Sequence, residues 1–158
     1  MNLVSHQINT MSGEILCPGD KSISQRILII GSILNCDMEI DGFLDSADPN
    51  SSLNALNEIG ASIKKEQEKV YLSKRNIPFH EPINDLDLGN SGTGARLILG
   101  LISGLGLRSK LVGDSSLSNR PMLRVIKPLI QMGAKIDYSK GTLPIFTIDS
   151  KITNNFTY

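Results

Sequence analysis

The sequence of 158 residues is poor in the residue types on which several function classes depend. It has no tryptophan and only 4% aromatic residues, too few for the stacking platforms that bind single-stranded nucleic acid. Sixteen basic residues balance sixteen acidic ones, so no overall field attracts DNA or an acidic membrane. The composition argues against nucleic-acid and membrane partners, and any site for anions has to be local.

Signals for metal binding and for targeting are also scarce. Cys17 and Cys36 lack C-x-x-C spacing, and His6 and His80 stand alone, so we expect no metal site, no cofactor and two reduced cysteines. Residues 1–6 lack the basic and apolar regions of a secretory signal, and no apolar run is long enough to span a membrane. We therefore expect a cytoplasmic protein, whose 40% hydrophobic content is enough for a core.

The stretch from residue 18 to residue 26 has the features of an anion site at the start of a helix. After a Pro-Gly turn, apolar residues recur at i, i+4, i+7 and i+11, which predicts a helix with one buried stripe: Ile23, Ile27, Ile30 and Leu34. Its first turn carries Lys21, Ser22 and Arg26, where acidic residues would suit the helix dipole. A bound phosphate or carboxylate would resolve this conflict. The alternative is a serine cap with solvated basic residues.

The order of predicted elements repeats along the chain. The first copy has one or two short strands in 2–16, a helix to about Leu34, a strand in 38–44, a helix ending before Gly60, and a hairpin of 61–64 with 69–73. The second has a strand in 86–88, a helix in 89–105, a strand in 110–113, a helix in 120–132, and a hairpin of 134–138 with 144–148. We interpret this order as a duplicated unit of about 70 residues.

Two more helix starts resemble the first. The glycines of residues 89–96 let backbone N–H groups approach a ligand, and three side chains add donors: Asn90, Thr93 and Arg96. A third start is predicted with Pro121 in its first turn, where Arg120 and Arg124 bring positive charge. Neither nucleotide motif fits, because Asp20 stands where G-x-x-x-x-G-K-[ST] needs its second glycine and G-x-G-x-x-G is absent from the first strand–helix turn.

Three motifs carry a family resemblance. The stretches PGDKSISQR at 18–26, LGNSGTGAR at 88–96 and GDSSLSNRPM at 113–122 closely resemble the 5-enolpyruvylshikimate-3-phosphate synthases in order and spacing. The related UDP-N-acetylglucosamine enolpyruvyl transferases fit these stretches poorly. Three departures are mild: Asp20 replaces a frequent serine, Gln25 stands where asparagine or histidine is usual, and Leu97 occupies a position that is often proline.

The resemblance implies a reaction and a set of site residues. The family transfers an enolpyruvyl group from phosphoenolpyruvate to the 5-hydroxyl of shikimate 3-phosphate and releases phosphate, on the way to aromatic amino acids. It implies that Lys21, Ser22 and Arg26 bind shikimate 3-phosphate, and that Lys21, as the catalytic residue, also reaches phosphoenolpyruvate with Gly92 and Arg120. The residues expected to form the adjacent wall are Asn90, Thr93 and Arg96.

The resemblance also implies an α/β (α+β) fold of repeated βαβαββ units, two of six being present. On this basis we divide the chain into residues 1–17, which belong to the other half of the family enzyme, and units at 18–84 and 85–158. We expect apolar surface left exposed by the missing units, and a fragment of an enzyme that is monomeric when complete. Two other hypotheses remain open: a non-catalytic module that senses a phosphometabolite, and a structural repeat protein without a ligand.

Overall fold

A computed structural model of the chain describes residues 3–67, 69–149 and 152–153. Its helices are α1 (Lys21–Leu34), α2 (Ala47–Glu58), α3 (Gly92–Leu105) and α4 (Leu123–Gln131), with a short 3-10 turn at Leu117–Asn119. Its strands are β1 (Met38–Ile40), β2 (Ile63–Glu66), β3 (Lys69–Leu72), β4 (Leu86–Asp87), β5 (Ser109–Val112), β6 (Lys135–Tyr138) and β7 (Ile145–Ile148). The mixed α/β class predicted from the sequence is confirmed.

The strands form two sheets of related topology. The first has the order β1-β3-β2 and is antiparallel throughout, and the second has the order β4-β5-β7-β6. Strands β5, β7 and β6 repeat the antiparallel arrangement of β1, β3 and β2, while β4 adds a parallel edge strand next to β5. Both predicted hairpins are confirmed, with Ile63 opposite Leu72 and Ile136 opposite Thr147. The unit boundaries stay a prediction, and residues 150–151 and 154–158 of the second unit lie outside the described residues.

The prediction of strands before α1 is wrong for the residues that can be judged. The described residues 3–16 contain no strand, and residue 2 lies outside the described part. Leu3, Ile15 and Leu16 are almost fully exposed. A strand is stable only beside a hydrogen-bonding neighbour, and in the first sheet β1 pairs only with β3 among the described strands. The apolar residues of this segment are therefore not sufficient to predict a strand.

Helix α1 buries a different face from the one predicted. Ile23, Ile30 and Leu34 of the predicted stripe are more than half exposed. The buried side is lined largely by small and polar residues: Ser24, Gln25, Leu28, Ile29, Gly31 and Ser32. Small residues are needed there because α1 packs closely on β3, where a Cβ on Gly31 would lie 2.7 Å from Leu72 Cδ2. The exposed stripe fits the expectation that two units alone leave apolar surface uncovered.

Close backbone packing fixes the start of α1. A Cβ on Gly19 would lie 2.0 Å from the carbonyl oxygen of Gly42, so the turn before α1 sits directly on the loop after β1. The backbone N–H of Leu44 in that loop also donates to Ser24 Oγ at 3.1 Å. The second sheet repeats this contact, since the N–H of Asp114 donates to the carbonyl of Gly89 at 2.9 Å. A Cβ on Gly113 would likewise lie 2.9 Å from the carbonyl oxygen of Gly89, so each of these contacts requires a glycine on one of its two sides.

We expect Gly19→Ala to lower the free energy of unfolding by about 1–3 kcal/mol, because the added methyl meets backbone that cannot rotate away. Gly100→Ala in α3 is the matched control. No described atom lies within 4 Å of a Cβ at Gly100, and replacing a helical glycine there should add about 0.5–1 kcal/mol. Urea unfolding of both variants tests this, and equal stability of Gly19→Ala and wild type would contradict it.

Candidate anion-binding site

The start of α1 presents the first group of predicted site residues. Asp20 is the N-cap and accepts a hydrogen bond from the N–H of Ile23 at 2.7 Å, so the alternative of a serine cap is wrong. Lys21 Nζ lies 3.0 Å from Asp48 Oδ2, and Arg26 Nη1 donates to the carbonyl of Ser22 at 3.0 Å. The Lys21, Ser22 and Arg26 side chains are exposed. They form a cationic surface at the helix N-terminus that an anion can reach.

The start of α3 presents the second group. The helix begins at Gly92, three residues later than predicted, because Gly89 adopts φ +54° in a turn closed by Asp87 Oδ1 at 2.8 Å. Ser91 is the N-cap, and its Oγ accepts from the N–H of Gly94 at 3.1 Å. Arg96 donates to the carbonyl of Gly92 at 3.1 Å. Thr93 is half-buried in the same first turn.

The third predicted helix start is displaced toward the C-terminus. Residues 117–119 form a 3-10 turn, and α4 begins at Leu123, so Pro121 precedes the helix and does not lie in its first turn. The reason is that Met122 donates its N–H to the carbonyl of Gly141 at 2.8 Å, which ties this segment to the loop before β7. Arg120 consequently lies beside the turn before α3, where its guanidinium donates to Asn90 Oδ1.

Three arginines form a cluster, in which Arg96 and Arg120 lie beside Gly92 and Arg124 is close enough to act on the charge of Arg96. A Cβ on Gly92 would lie 3.0 Å from Arg120 Nη1 and 3.2 Å from Arg96 Nη1. Burial lowers the pKa of Arg96 from its ordinary value, and the charges of Arg124 and Arg120 lower it further. Arg96 Nε is buried and has no hydrogen-bond partner among the described residues. The local positive charge is therefore only partly compensated, and it surrounds a residue with no side chain.

Asp114 and Asn90 organise this cluster. The backbone N–H of Leu117 donates a hydrogen bond to the Asp114 carboxylate at 2.7 Å. This hydrogen bond is the main cause of the lowered pKa of Asp114. Asn90 Nδ2 donates to the same carboxylate at 2.7 Å, which directs Asn90 Oδ1 toward Arg120. Asn90 thus orients a guanidinium, and Asp114 orients Asn90. Sequence reasoning missed Asp114, although it lies within the third motif.

The two groups are connected through Gln25, which is fully buried. Its Nε2 lies 2.7 Å from Ser91 Oγ, 3.0 Å from Ser52 Oγ and 3.2 Å from the carbonyl oxygen of Asp48. The starts of α1, α2 and α3 therefore meet at one side chain. No direct ion pair or hydrogen bond joins Lys21, Ser22 or Arg26 to the arginine cluster within the described residues.

Asp48 is a second residue that sequence reasoning missed. It lies in the first turn of α2, where a carboxylate suits the helix dipole, and it pairs with Lys21 across 27 positions of sequence. Its carboxylate therefore forms an ion pair with the Lys21 ammonium when no ligand is present. The only sequence signal was an acidic loop before a helix, and that loop gave no indication of its partner.

We expect Asp48→Asn to tighten the binding of inorganic phosphate to this chain by up to about fivefold, the range of an exposed ion pair. The variant keeps the backbone carbonyl that faces Gln25 and removes the charge that competes for Lys21. The matched control is Asp45→Asn, whose carboxylate pairs with Lys65. Amide chemical shifts of α1 during a phosphate titration measure the affinity. Weaker binding in Asp48→Asn would mean that the carboxylate holds Lys21 in its binding position.

Other features of the surface do not match this chemistry. A recess of about 630 Å³ opens on the first sheet beside Asp41, Glu66 and Tyr71, but its lysine, Lys69, is already paired with Asp41 at 3.0 Å. In the described part of the chain, no cluster of three His, Cys, Asp or Glu side chains is placed to hold a metal ion. None of the helices described is both long and apolar enough to cross a membrane.

Two sheets with cation-rich, glycine-rich helix starts define the chain as an α/β protein with candidate anion sites. Its residues 5–157 match the family model described as EPSP synthase (3-phosphoshikimate 1-carboxyvinyltransferase), so the chain belongs to this family. The 3-phosphoshikimate 1-carboxyvinyltransferase of Ruthia magnifica is 41% identical over 95% of this chain, and that of Limosilactobacillus fermentum is 46% identical over 85%. The chain spans only 35% and 32% of these two relatives.

Solved structures agree with the sequence comparison. An EPSP synthase from Acinetobacter baumannii superposes with a TM-score of 0.81 at 36% sequence identity. The match covers 90% of this chain and 33% of the Acinetobacter chain. The fold described above is therefore the fold of about a third of that enzyme.

Proposed function

We propose that this chain supplies one wall of a site in which an enolpyruvyl group passes from phosphoenolpyruvate to the 5-hydroxyl of shikimate 3-phosphate, with release of phosphate. The observation that carries the proposal is the meeting of two cationic helix starts, α1 and α3, at the buried amide of Gln25. Each of the two substrates carries a phosphate and a carboxylate. The reaction between them therefore needs two adjacent anion-binding sites. The names and coverage of the relatives support the same reaction.

The proposal assigns the α1 group to shikimate 3-phosphate. Lys21 and Arg26 would neutralise its phosphate, and the Ser22 hydroxyl would donate a hydrogen bond to it. Backbone N–H groups at the start of α1 add to this attraction, because a helix N-terminus favours negative charge. Lys21 can also reach toward the second substrate once an anion displaces it from Asp48.

The proposal assigns the α3 group to phosphoenolpyruvate. Gly92 leaves space in front of the Arg96 and Arg120 guanidinium groups, and Arg120 is the donor aimed at that space. Asn90, Thr93 and Arg96 form the adjoining wall. Fixed cations on both sides reduce the repulsion between the two anions, and so allow the 5-hydroxyl oxygen to approach C2 of the enolpyruvyl group.

In the reaction that we infer, the 5-hydroxyl oxygen adds to C2 while C3 gains a proton, which gives a tetrahedral ketal. Loss of a C3 proton and of phosphate then restores the double bond in the product. Within this scheme Lys21 and Arg120 stabilise charge, while the proton transfers need acids and bases that the assigned residues do not provide. We expect a full-length monomer in the cytoplasm, without nucleic-acid or membrane partners.

Phosphate release from the two substrates tests the proposal. This chain alone should give no detectable turnover, because the site lacks its opposite wall and stays open to water. Addition of the separately produced remaining two thirds of the enzyme should restore activity. Turnover by the chain alone would refute the divided site. Ligand binding without turnover in the mixture would instead support a non-catalytic module that senses a phosphometabolite.

A further inference from the structure

Gln25 is held in an arrangement that stability alone does not favour. Its amide has two protons, yet three acceptors from α2 and α3 surround Nε2 at 2.7–3.2 Å. Its Oε1 is buried and receives no hydrogen bond from the described residues. A buried acceptor without a donor destabilises the fold, whereas an apolar side chain of similar shape would avoid that cost. The amide is therefore retained at a cost.

The space around this amide is also kept clear. A Cβ on Gly94 would lie 2.6 Å from Ser91 Oγ, 2.7 Å from Ser52 Oγ and 3.0 Å from Gln25 Nε2. The glycine is thus the only residue type at position 94 that leaves the network undisturbed. The Ser91 hydroxyl is shared, since it caps α3 through the N–H of Gly94 and accepts from Gln25. The bond from Gln25 therefore joins α1 directly to the cap of α3.

We propose that Gln25 is a positioning residue, whose bond to Ser91 sets the spacing between the ligand-binding starts of α1 and α3. This inference rests on the proposed function. Gln25 is fully buried, whereas Lys21, Ser22 and Arg26 are exposed, so Gln25 acts through the helix starts and not as a ligand contact. The role of the amide is to hold two bound substrates at reacting distance, where an error of about 1 Å can cost up to 100-fold in rate.

The test uses Gln25→Met in a full-length enzyme that contains this sequence. Methionine keeps the volume and removes both N–H donors. We expect kcat to fall by about 10-fold or more, while KM for each substrate changes by less than about threefold, because the binding groups of each helix start remain in place. If Gln25→Met does not fold, Gln25→Leu provides the same measurement, since it also removes both N–H donors.

Ser52→Ala is the matched control. It removes the acceptor on α2 from the same buried network and leaves the bond between Gln25 and Ser91 intact. We expect its kcat to stay within about twofold of wild type, although its free energy of unfolding falls as for any lost buried hydrogen bond. Gly94→Ala, which pushes a methyl group between Ser91 and Gln25, should reproduce the kcat loss, and Gly100→Ala in the same helix should not.

Several outcomes decide the question. A wild-type kcat in folded Gln25→Met would overturn the positioning role, and so would an equal kcat loss in Ser52→Ala, which would make the network purely structural. A rise in both KM values with kcat unchanged would also overturn it. A wild-type enzyme without transferase activity would instead overturn the proposed function, so the two failures are distinguishable.

Discussion

Lys21→Ala in a full-length enzyme containing this sequence is expected to lower kcat/KM by about 10²–10³-fold, the loss typical of removing one donor that faces developing charge. Lys21 is the only proposed contact assigned to both substrates. The Lys21 side chain is half exposed and, among the described residues, pairs with Asp48 alone, so a ligand can displace that pair at little cost. We expect a loss of kcat/KM of this size because Lys21 is proposed to neutralise the charge of both anions as they approach each other.

The activity loss should not come from unfolding. The exposed pair with Asp48 contributes at most about 1 kcal/mol to stability, so Lys21→Ala should unfold at nearly the wild-type denaturant concentration. Lys110→Ala is the matched control, because Lys110 of β5 also forms one exposed ion pair among the described residues, with Asp85 just before β4. Steady-state kinetics of both variants decide the matter. If Lys21→Ala and Lys110→Ala turned over at the same rate, the assignment of Lys21 would be wrong.

Much of the fold could be predicted because local signals agree with tertiary structure. Gly60 and Gly133 adopt φ +96° and +104° directly after α2 and α4, and glycine is the residue type that tolerates this conformation. Alternating apolar residues then identified both hairpins. Helix ends and hairpins are encoded within a few neighbouring residues, so a single sequence is enough to find them.

The failures have one physical cause, which is that burial depends on distant partners. The periodicity of α1 predicted a buried isoleucine stripe, yet the close approach of β3 selects the side that carries Ser24, Gly31 and Ser32. The N-terminal segment has strand-like residues but no paired neighbour in the described chain. Periodicity identifies a helix or a strand, and only the surrounding elements decide which face is buried or whether a strand pairs.

The candidate site also contains residues that local sequence signals indicate and residues that they do not. Glycine, lysine and arginine at helix starts are local signals, and they led to Lys21, Gly92 and Arg120. Gln25 and Asp48 were missed as site residues because their partners lie 23 to 66 positions away in the sequence. A glutamine between a serine and an arginine gives no local indication that it is fully buried. Residues that position other residues are therefore the part of a site that cannot be predicted from a single sequence.

Gly92→Ala should weaken phosphoenolpyruvate binding by about 10- to 100-fold, equivalent to a lost charged hydrogen bond of 1.5–3 kcal/mol. The added methyl would lie 3.0 Å and 3.2 Å from the Nη1 atoms of Arg120 and Arg96, so it displaces their guanidinium groups as well as filling the space in front of them. These are the flexible ends of side chains, and the protein should therefore still fold. Shikimate 3-phosphate, assigned to α1, should bind nearly as in wild type.

Calorimetric titration of each substrate separately into Gly92→Ala and into Gly100→Ala measures this difference. Gly100→Ala makes the same substitution two turns further along α3, in open space, and should leave both affinities unchanged. An equal loss for both substrates in Gly92→Ala would mean that the substitution disturbs the whole helix, including its link through Ser91 to Gln25. An unchanged affinity for phosphoenolpyruvate would mean that this ligand does not lie in front of Arg120 and Arg96, and the assignment of the α3 group would be wrong.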